Sequence, residues 1–475
     1  MIALINTNTM QPPITPIGLD NIAGAAEAAG IGTEIIDLCL CENPSEELAE
    51  RLAANAPELA ALSFRNIDDC FWPSAQWFVP QLCNWVEQIH RITDAPIVLG
   101  GVGFSIMPER IVEYTGAEFG ICGDGEDAIV ELVREIRGGR RRENVPGLIW
   151  RQDGRIHGNA PAWPQKVSLP TRRDCVDNKT YFKKGGQCGL ETKRGCNRAC
   201  IYCADPLAKG SRLRLRDAAE VADEAENLLG QGIDVLHLCD CEFNIPIEHA
   251  KDVCREFVRR GLGEKIRWYT YMAVTPFDDE LAKLMKRAGC VGIDFTADAA
   301  SGIMLNTYRD EHCSDDLAAA VKVCRNNSIV VMLDLLLGGP GETPQTLAET
   351  IEFVKQTGPD CVGASLGVRI YPNTQMARIV ESEGPAEANP NIKRKYEGRV
   401  DFFKPTFYVS HLLGAEPAKL VRDLVAGDRR FFEPMLEVGG SESTSHNYND
   451  NTELCEAIAA GARGAYWDIL RKMRR

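Results

Sequence analysis

The sequence predicts an α/β chain in three parts: an N-terminal doubly wound parallel sheet, a second βα repeat of about six units forming a partial barrel, and a small helical C-terminal tail. Two observations carry this. Short apolar runs alternate with helical stretches in two successive series, and strands joined by helical crossovers make parallel sheets covered on both faces. A hairpin signal and a Pro-rich stretch separate the series, which sets parts at 1–140, 141–180, 181–380 and 381–475.

In the first series the strand candidates are Ile2–Ile5, Glu34–Ile36, Ala60–Ser63, Ile97–Leu99 and Phe119–Ile121. Helical stretches fall between them at Leu19–Ala29, Glu46–Ala54, Ala75–His90 and Ala128–Arg137. The strand ends carry Asn6–Thr9, Ser63–Asn66, Gly100–Gly103 and Gly123–Glu126, and ligands bind at that end of such sheets. On the residues alone this is a cofactor-binding layer of unnamed ligand. Asp153-Gly154 marks the hairpin between Gly147–Trp150 and Arg155–His157, and this hairpin with Pro161–Pro170 reads as a linker between domains.

The second series has strands at Cys188–Lys193, Val235–Leu238, Ile266–Ala273, Gly292–Thr296, Val330–Leu337 and Cys361–Ile370, with helices between. Sites in such a repeat gather at the carboxyl ends of the strands. Beyond Glu381–Asn391 the tail reads as helices at Pro417–Val425, Arg429–Leu436 and Cys455–Lys472, ending in a basic, solvated terminus. The aromatic run Phe402–Tyr408 reads as a core contact with the barrel.

Composition narrows the function classes. The 475 residues are 44% hydrophobic and 25% charged, with a net charge of -15, which argues against broad binding to nucleic acid or anionic membranes. No apolar run is long enough to span a bilayer, and the N-terminus has no basic leader. The 18 cysteines point to a reducing, cytoplasmic setting and a metal rather than a disulfide framework.

The metal has a candidate address. Cys196, Cys200 and Cys203 form C-x3-C-x2-C, with Gly195 before the first and Tyr202 before the third. Three thiolates are one short of a closed zinc site and would leave one iron of a four-iron cluster open to a ligand. The run Arg-Gly-Cys-x3-Cys-x-Tyr-Cys resembles the cluster loop of the radical S-adenosylmethionine (radical SAM) superfamily. Pro16–Leu19, Val98–Gly101 and Gly120–Glu126 resemble the cobalamin-binding domain that precedes the cluster domain in many of its members.

That resemblance implies one [4Fe-4S] cluster on the three cysteines, SAM, and cobalamin. It sets Tyr202, Asp240, Glu242, Asp294, Gly338, Gly339, Gly341, Glu342 and Arg369 around SAM, with Glu242 toward its amino group and Asp294 and Asp298 near the ribose. It sets Ser63, Arg65, Gly100, Gly101, Gly103, Gly123, Gly125 and Glu126 around cobalamin. No Asp-x-His-x-x-Gly is present, and His90 reads as a helix residue, so cobalt would lack an imidazole below it. Cys241 reads as packing.

The implied activity is methylation of an unactivated carbon of a small-molecule or lipid-like substrate through a 5′-deoxyadenosyl radical, with an electron donor such as flavodoxin or ferredoxin. Cyclisation or rearrangement without net methyl transfer is the alternative, and a non-catalytic corrinoid- or metal-binding protein is the other.

Overall fold

The computed structural model describes residues 1–138, 141–170, 173–309, 311–435 and 447–474. The first sheet holds β1 (Ile2–Asn6), β2 (Thr33–Asp37), β3 (Leu59–Ser63), β4 (Ile97–Gly100), β5 (Phe119–Ile121), β6 (Leu148–Gln152) and β7 (Arg155–Gly158), in the order 2-1-3-4-5-6-7. The first five strands are parallel. Alternate side chains go to opposite faces: Ala3, Ile5 and Leu62 into one apolar layer, Ile2, Leu4 and Ala61 into the other. Both faces are therefore buried, as a parallel sheet requires.

The hairpin differs from the sequence expectation. It does not belong to a linker: β6 pairs antiparallel with β5, and Leu148, Ile149 and Trp150 bury in the sheet's two cores. Three apolar residues on the first hairpin strand are reason enough for it to extend the sheet. The third helix begins only at Val79, because Ala75, at φ +45°, interrupts the helical path before it.

The second sheet holds β8 (Cys188–Leu190), then, after the short antiparallel pair β9 (Lys193–Arg194) and β10 (Arg214–Leu215), β11 (Val235–Leu238), β12 (Arg267–Met272), β13 (Cys290–Asp298), β14 (Val330–Leu337) and β15 (Cys361–Leu366). These six long strands run parallel in sequence order from β8 to β15, an open barrel. The single strand expected at Cys188–Lys193 is thus split, and its second half clasps the base of the cysteine loop.

A small three-stranded sheet follows, with β18 (Thr406–Tyr408) between β16 (Val368–Arg369) and β17 (Ile392–Arg394). The aromatic run bridges layers: Phe403 joins a core of the first sheet, while Phe402 and Tyr408 join a cluster with Ile201 and Tyr308. The helix expected at Arg429–Leu436 is not formed over its described part. Phe431 and Phe432 form β19 (Phe431–Phe432), which pairs with β15, and Leu436 lies outside the described residues.

The barrel interior follows from a period of two. Leu236, Leu238, Trp268, Ile293, Phe295 and Leu333 face the covering helices. Val235, Tyr269, Met332 and Cys361 face inward and form a floor, closed by Tyr466, Trp467, Ile469 and Leu470. Those four come from the last helix, Tyr466–Met473, so the basic end is solvated only in part: Lys472 is exposed, but Arg471 is buried on Asp468, which also accepts from Tyr269 Oη at 2.8 Å. Arg475 lies outside the described residues. The expected single helix is two, Thr452–Ala459 and Tyr466–Met473, parted where Gly461 and Gly464 adopt φ +106° and +146°.

A buried ion network ties the parts together. Arg173 donates to Asp20 and to Glu224, both at 2.6 Å, and Glu224 also accepts from Arg216 at 2.6 Å. The side chains of Arg173, Asp20, Glu224 and Arg216 are 0–1% exposed. Asp20 lies on the first helix and Glu224 on the first barrel helix, so one arginine spans both layers. No helix among the described residues is long and apolar enough to cross a membrane.

Candidate functional site

The cysteine loop starts where β9 ends. Gly195 has φ +86°, and a side chain there would strike the Arg212 carbonyl, so the loop needs glycine to pass under residues 210–212. The Cys196 amide donates to the Gly210 carbonyl at 3.1 Å, and the Cys203 amide to the Cys200 carbonyl at 3.2 Å. Burial pushes the Cys200 thiol up to about 12, and burial with the charges of Asp205, Cys200 and Cys196 pushes Cys203 up as well. Cys196 goes the other way, to about 7, chiefly because Cys241 hydrogen-bonds to it. Cys241 also donates to Asp205 at 2.9 Å, so it does more than pack: it braces a thiol of the loop.

Among the described residues no three His, Cys, Asp or Glu side chains are gathered as around a single ion. The three loop thiols stand instead within electrostatic reach of one another, a wider set that suits an iron–sulfur cluster with one open iron. Buried thiols pushed up in this way gain most from a cation that holds them ionised.

Beside the loop stands a charged constellation. Tyr202 Oη donates to Asp298 at 2.7 Å and accepts from Arg309 at 2.5 Å. Arg309 pairs with Asp298 at 2.6 Å and lies 3.6 Å from Glu242. Glu242 accepts from Thr296 at 3.0 Å, while its Oε2 is buried without a partner. Burial raises Glu242 to about 7, against the pull of Arg309. Asp298 holds φ +57°, the strained backbone that functional sites tend to keep. Arg309 and Thr296 were not legible in the sequence: Arg309 follows the helix Gly302–Tyr308 with no local pattern, and only the fold brings it to Glu242.

Several expected SAM residues are engaged elsewhere. Asp240 is consumed by Thr192 and Lys193, including Lys193 Nζ at 2.9 Å, and so anchors the strand before the loop. Glu342 accepts from the Gly338 amide of its own turn with one oxygen, while its Oε1 is buried without a partner. Gly338 and Gly341 supply the positive φ of that turn, and a side chain on Gly339 would enter the Tyr308 ring. Arg369 is spent on Asp68 at 2.8 Å and on the Ile370 and Phe402 carbonyls, a strut between layers. Asp294 points into the barrel two residues below Thr296 on β13, and Asp298 takes the place beside Tyr202.

On the first sheet the glycines also have packing reasons. A side chain on Gly101 or Gly103 would meet the backbone of Phe64 or of Arg65 and Asn66; on Gly123 it would meet Trp163, and on Gly125, Ile22. Glu126 is held by Arg194 at 2.8 Å, and Asp124 by Arg214, which joins this loop to the base of the cysteine loop. Arg65 stands at a cleft lined also by Thr7, Asn8, Met10, Phe64 and Asn66, while Ser63 and Gly100 end the neighbouring strands β3 and β4. Solvent reaches Arg65, yet burial depresses its guanidinium below the usual arginine range. Cys239 and Tyr271 of the barrel and Tyr466 of the tail lie within electrostatic reach of it, so this end of the first sheet faces the barrel. His90 pairs with Glu118 on the surface, away from it.

Gly101→Val is therefore expected to destabilise the protein itself. At φ +103° and against the Phe64 carbonyl, the cost is at least about 2 kcal/mol. Chemical denaturation without corrinoid checks this; a variant as stable as the wild type but poor in cobalamin binding would return Gly101 to the ligand side.

Comparison with known proteins agrees in both layers. A radical SAM superfamily model matches residues 190–354, and a B12 binding domain model matches residues 4–133. Tryptophan 2-C-methyltransferase of Streptomyces laurentii is 29% identical over 98% of this chain and 95% of its own. Anaerobic magnesium-protoporphyrin IX monomethyl ester cyclase of Cereibacter sphaeroides is 26% identical over 74% of this chain and 58% of its own. The solved radical S-adenosylmethionine methyltransferase TsrM of Kitasatospora setae, with tryptophan and a SAM analogue bound, is 31% identical, covers 99% of this chain and 97% of its own, and superposes with a TM-score of 0.92.

Proposed function

The chain belongs to the cobalamin-binding radical SAM enzymes, and from that premise we propose that it methylates a carbon atom of a small, tryptophan-like molecule. The observation that carries the reading is the match to a methyltransferase along the whole chain. When bound, the cluster supplies an open iron and an electron, SAM the methyl group, and cobalamin the carrier that passes it to carbon.

The protein's own part is to bind, orient and exclude water. Cys196, Cys200 and Cys203 hold the cluster. Glu242 and Arg309, 3.6 Å apart, offer an acceptor and a donor of opposite charge to the ammonium and carboxylate of SAM. Ser63, Arg65 and Gly100 would line the corrin side. A flavodoxin or ferredoxin in a reducing cytoplasm serves as electron donor.

Glu242→Gln keeps the shape and removes the charge. It is expected to weaken SAM binding about 10- to 100-fold, the worth of a hydrogen bond to a charged group, as read by equilibrium dialysis on cluster-loaded protein. Unchanged SAM affinity would remove Glu242 from that role.

The activity test is anaerobic turnover of reconstituted protein with SAM, a reductant and L-tryptophan or related indoles. A methylated product with matching S-adenosylhomocysteine supports the reading. The similarity to a ring-forming cyclase favours a second reading, ring closure without net methyl transfer. Release of 5′-deoxyadenosine with an unmethylated, altered product would put that reading first.

A further inference from the structure

Above the apolar floor, the barrel's next inward layer is polar. Tyr271 on β12, Asp294 on β13 and Asp334 on β14 follow the floor residues Tyr269, Gly292 and Met332 by two positions each, so they share the inner face. Tyr448, from the tail, packs with the floor cluster, its ring 5.7 Å from that of Tyr466, within electrostatic reach of Tyr271, Asp294 and Asp334. His237 on β11 sits with its ring 5.0 Å from that of Tyr271.

Two features show that this layer faces a ligand space rather than a packed core. Tyr271 is 36% exposed although it stands inside the barrel. Asp294 is 2% exposed, and its Oδ1 has no hydrogen-bond partner. A buried carboxyl oxygen left without a donor is costly unless a ligand supplies one. Burial and the neighbouring charge of Asp334 hold the Asp294 carboxyl well above its usual range. A cation between them would reverse that. Arg309 is engaged with Asp298 nearer the cysteine loop, and Arg65 reaches in from the first sheet toward Cys239 and Tyr271.

We propose that Asp294 and Asp334 receive the ammonium group of the methyl acceptor, which makes the substrate a primary amine with an apolar, ring-sized body. The body lies against Tyr271 and Tyr448, while the amine is held by two carboxyl groups on neighbouring strands. Such a site rejects a neutral analogue because a buried acid is then left unmatched. The inference rests on the reading of this chain as a small-molecule C-methyltransferase and names its substrate class.

The test is equilibrium dialysis of holoprotein, loaded anaerobically with cluster and cobalamin, against tryptamine, its neutral isostere 3-propylindole, and indole-3-propionate. Tryptamine is expected to bind at least about tenfold more tightly than 3-propylindole, and indole-3-propionate no better than 3-propylindole. Asp294→Asn and Asp334→Asn should each erase the preference while iron and cobalamin contents stay at the wild-type level. Should either variant fail to fold, the wild-type comparison still decides. Equal binding of tryptamine and 3-propylindole, or binding of neither, overturns the proposal. A tryptamine preference without methyl transfer to any amine would leave the site standing and count against the methyltransferase reading. Methylation of neutral indoles alone would do the reverse.

Discussion

Replacing Cys196, Cys200 and Cys203 together by alanine is expected to take the protein from about four irons per chain to none, and methyl transfer to background. The loop offers no other thiol set. Cys241 stands beside Cys196 and is held by Asp205 and Lys209, but one sulfur cannot hold a cluster. Cobalamin loading rests on the first sheet and should persist, which separates loss of the cluster from loss of the fold. Iron analysis and the visible absorption of anaerobically reconstituted protein give the answer. A triple variant that keeps its iron would place the cluster elsewhere.

Arg173→Met is expected to cost about 3–5 kcal/mol, the range for stranding a partner of a buried ion pair. The exposure values decide this: with Arg173, Asp20 and Glu224 at 0–1%, no solvent screens the carboxylates once the arginine is gone. A surface pair would be worth about 1 kcal/mol or less. Arg216 still neutralises Glu224, so the uncompensated charge falls mainly on Asp20. Asn178 and the Cys175 amide remain its donors. Denaturant titration of wild type and variant under the same cofactor loading measures the loss. A cost under about 1 kcal/mol would show that water reaches the network.

The sequence carried the architecture and the cysteine loop because both are written locally. Ligands three and four residues apart declare themselves, and so does a strand-and-helix alternation repeated over the chain. The polar layer of the barrel could not be read this way. Tyr271, Asp294 and Asp334 lie on three different strands, and only the closing of the sheet brings them to one face. The same holds for Arg309 beside Glu242.

Other residues misled for a physical reason. Glycine permits the close approach of a ligand and the close approach of the chain to itself, and the letter is the same for both. At Gly101 and Gly103 the structure shows the second. Asp240 and Arg369 stand at strand ends as ligand residues do, yet each is consumed by a partner distant in sequence, Lys193 or Asp68. The hairpin's place in the first sheet and the β19 strand were obscured because short apolar runs read equally well as linker, helix or edge strand until a neighbour pairs with them.

The tail helix Tyr466–Met473 closes the barrel from below, and Leu454 and Ile458 of the helix before it pack with Phe182 and Phe432 along the seam between the barrel's first and last strands. Among the described residues the interior is thus closed at its floor. An acceptor for Asp294 is then expected to enter from the side of the first sheet, and its product to leave the same way. Traffic is single-file on that route: a product still seated bars the next acceptor. The bridges Glu126–Arg194 and Asp124–Arg214 stand where the two layers meet, and hold together the two walls that such an exchange must pass between.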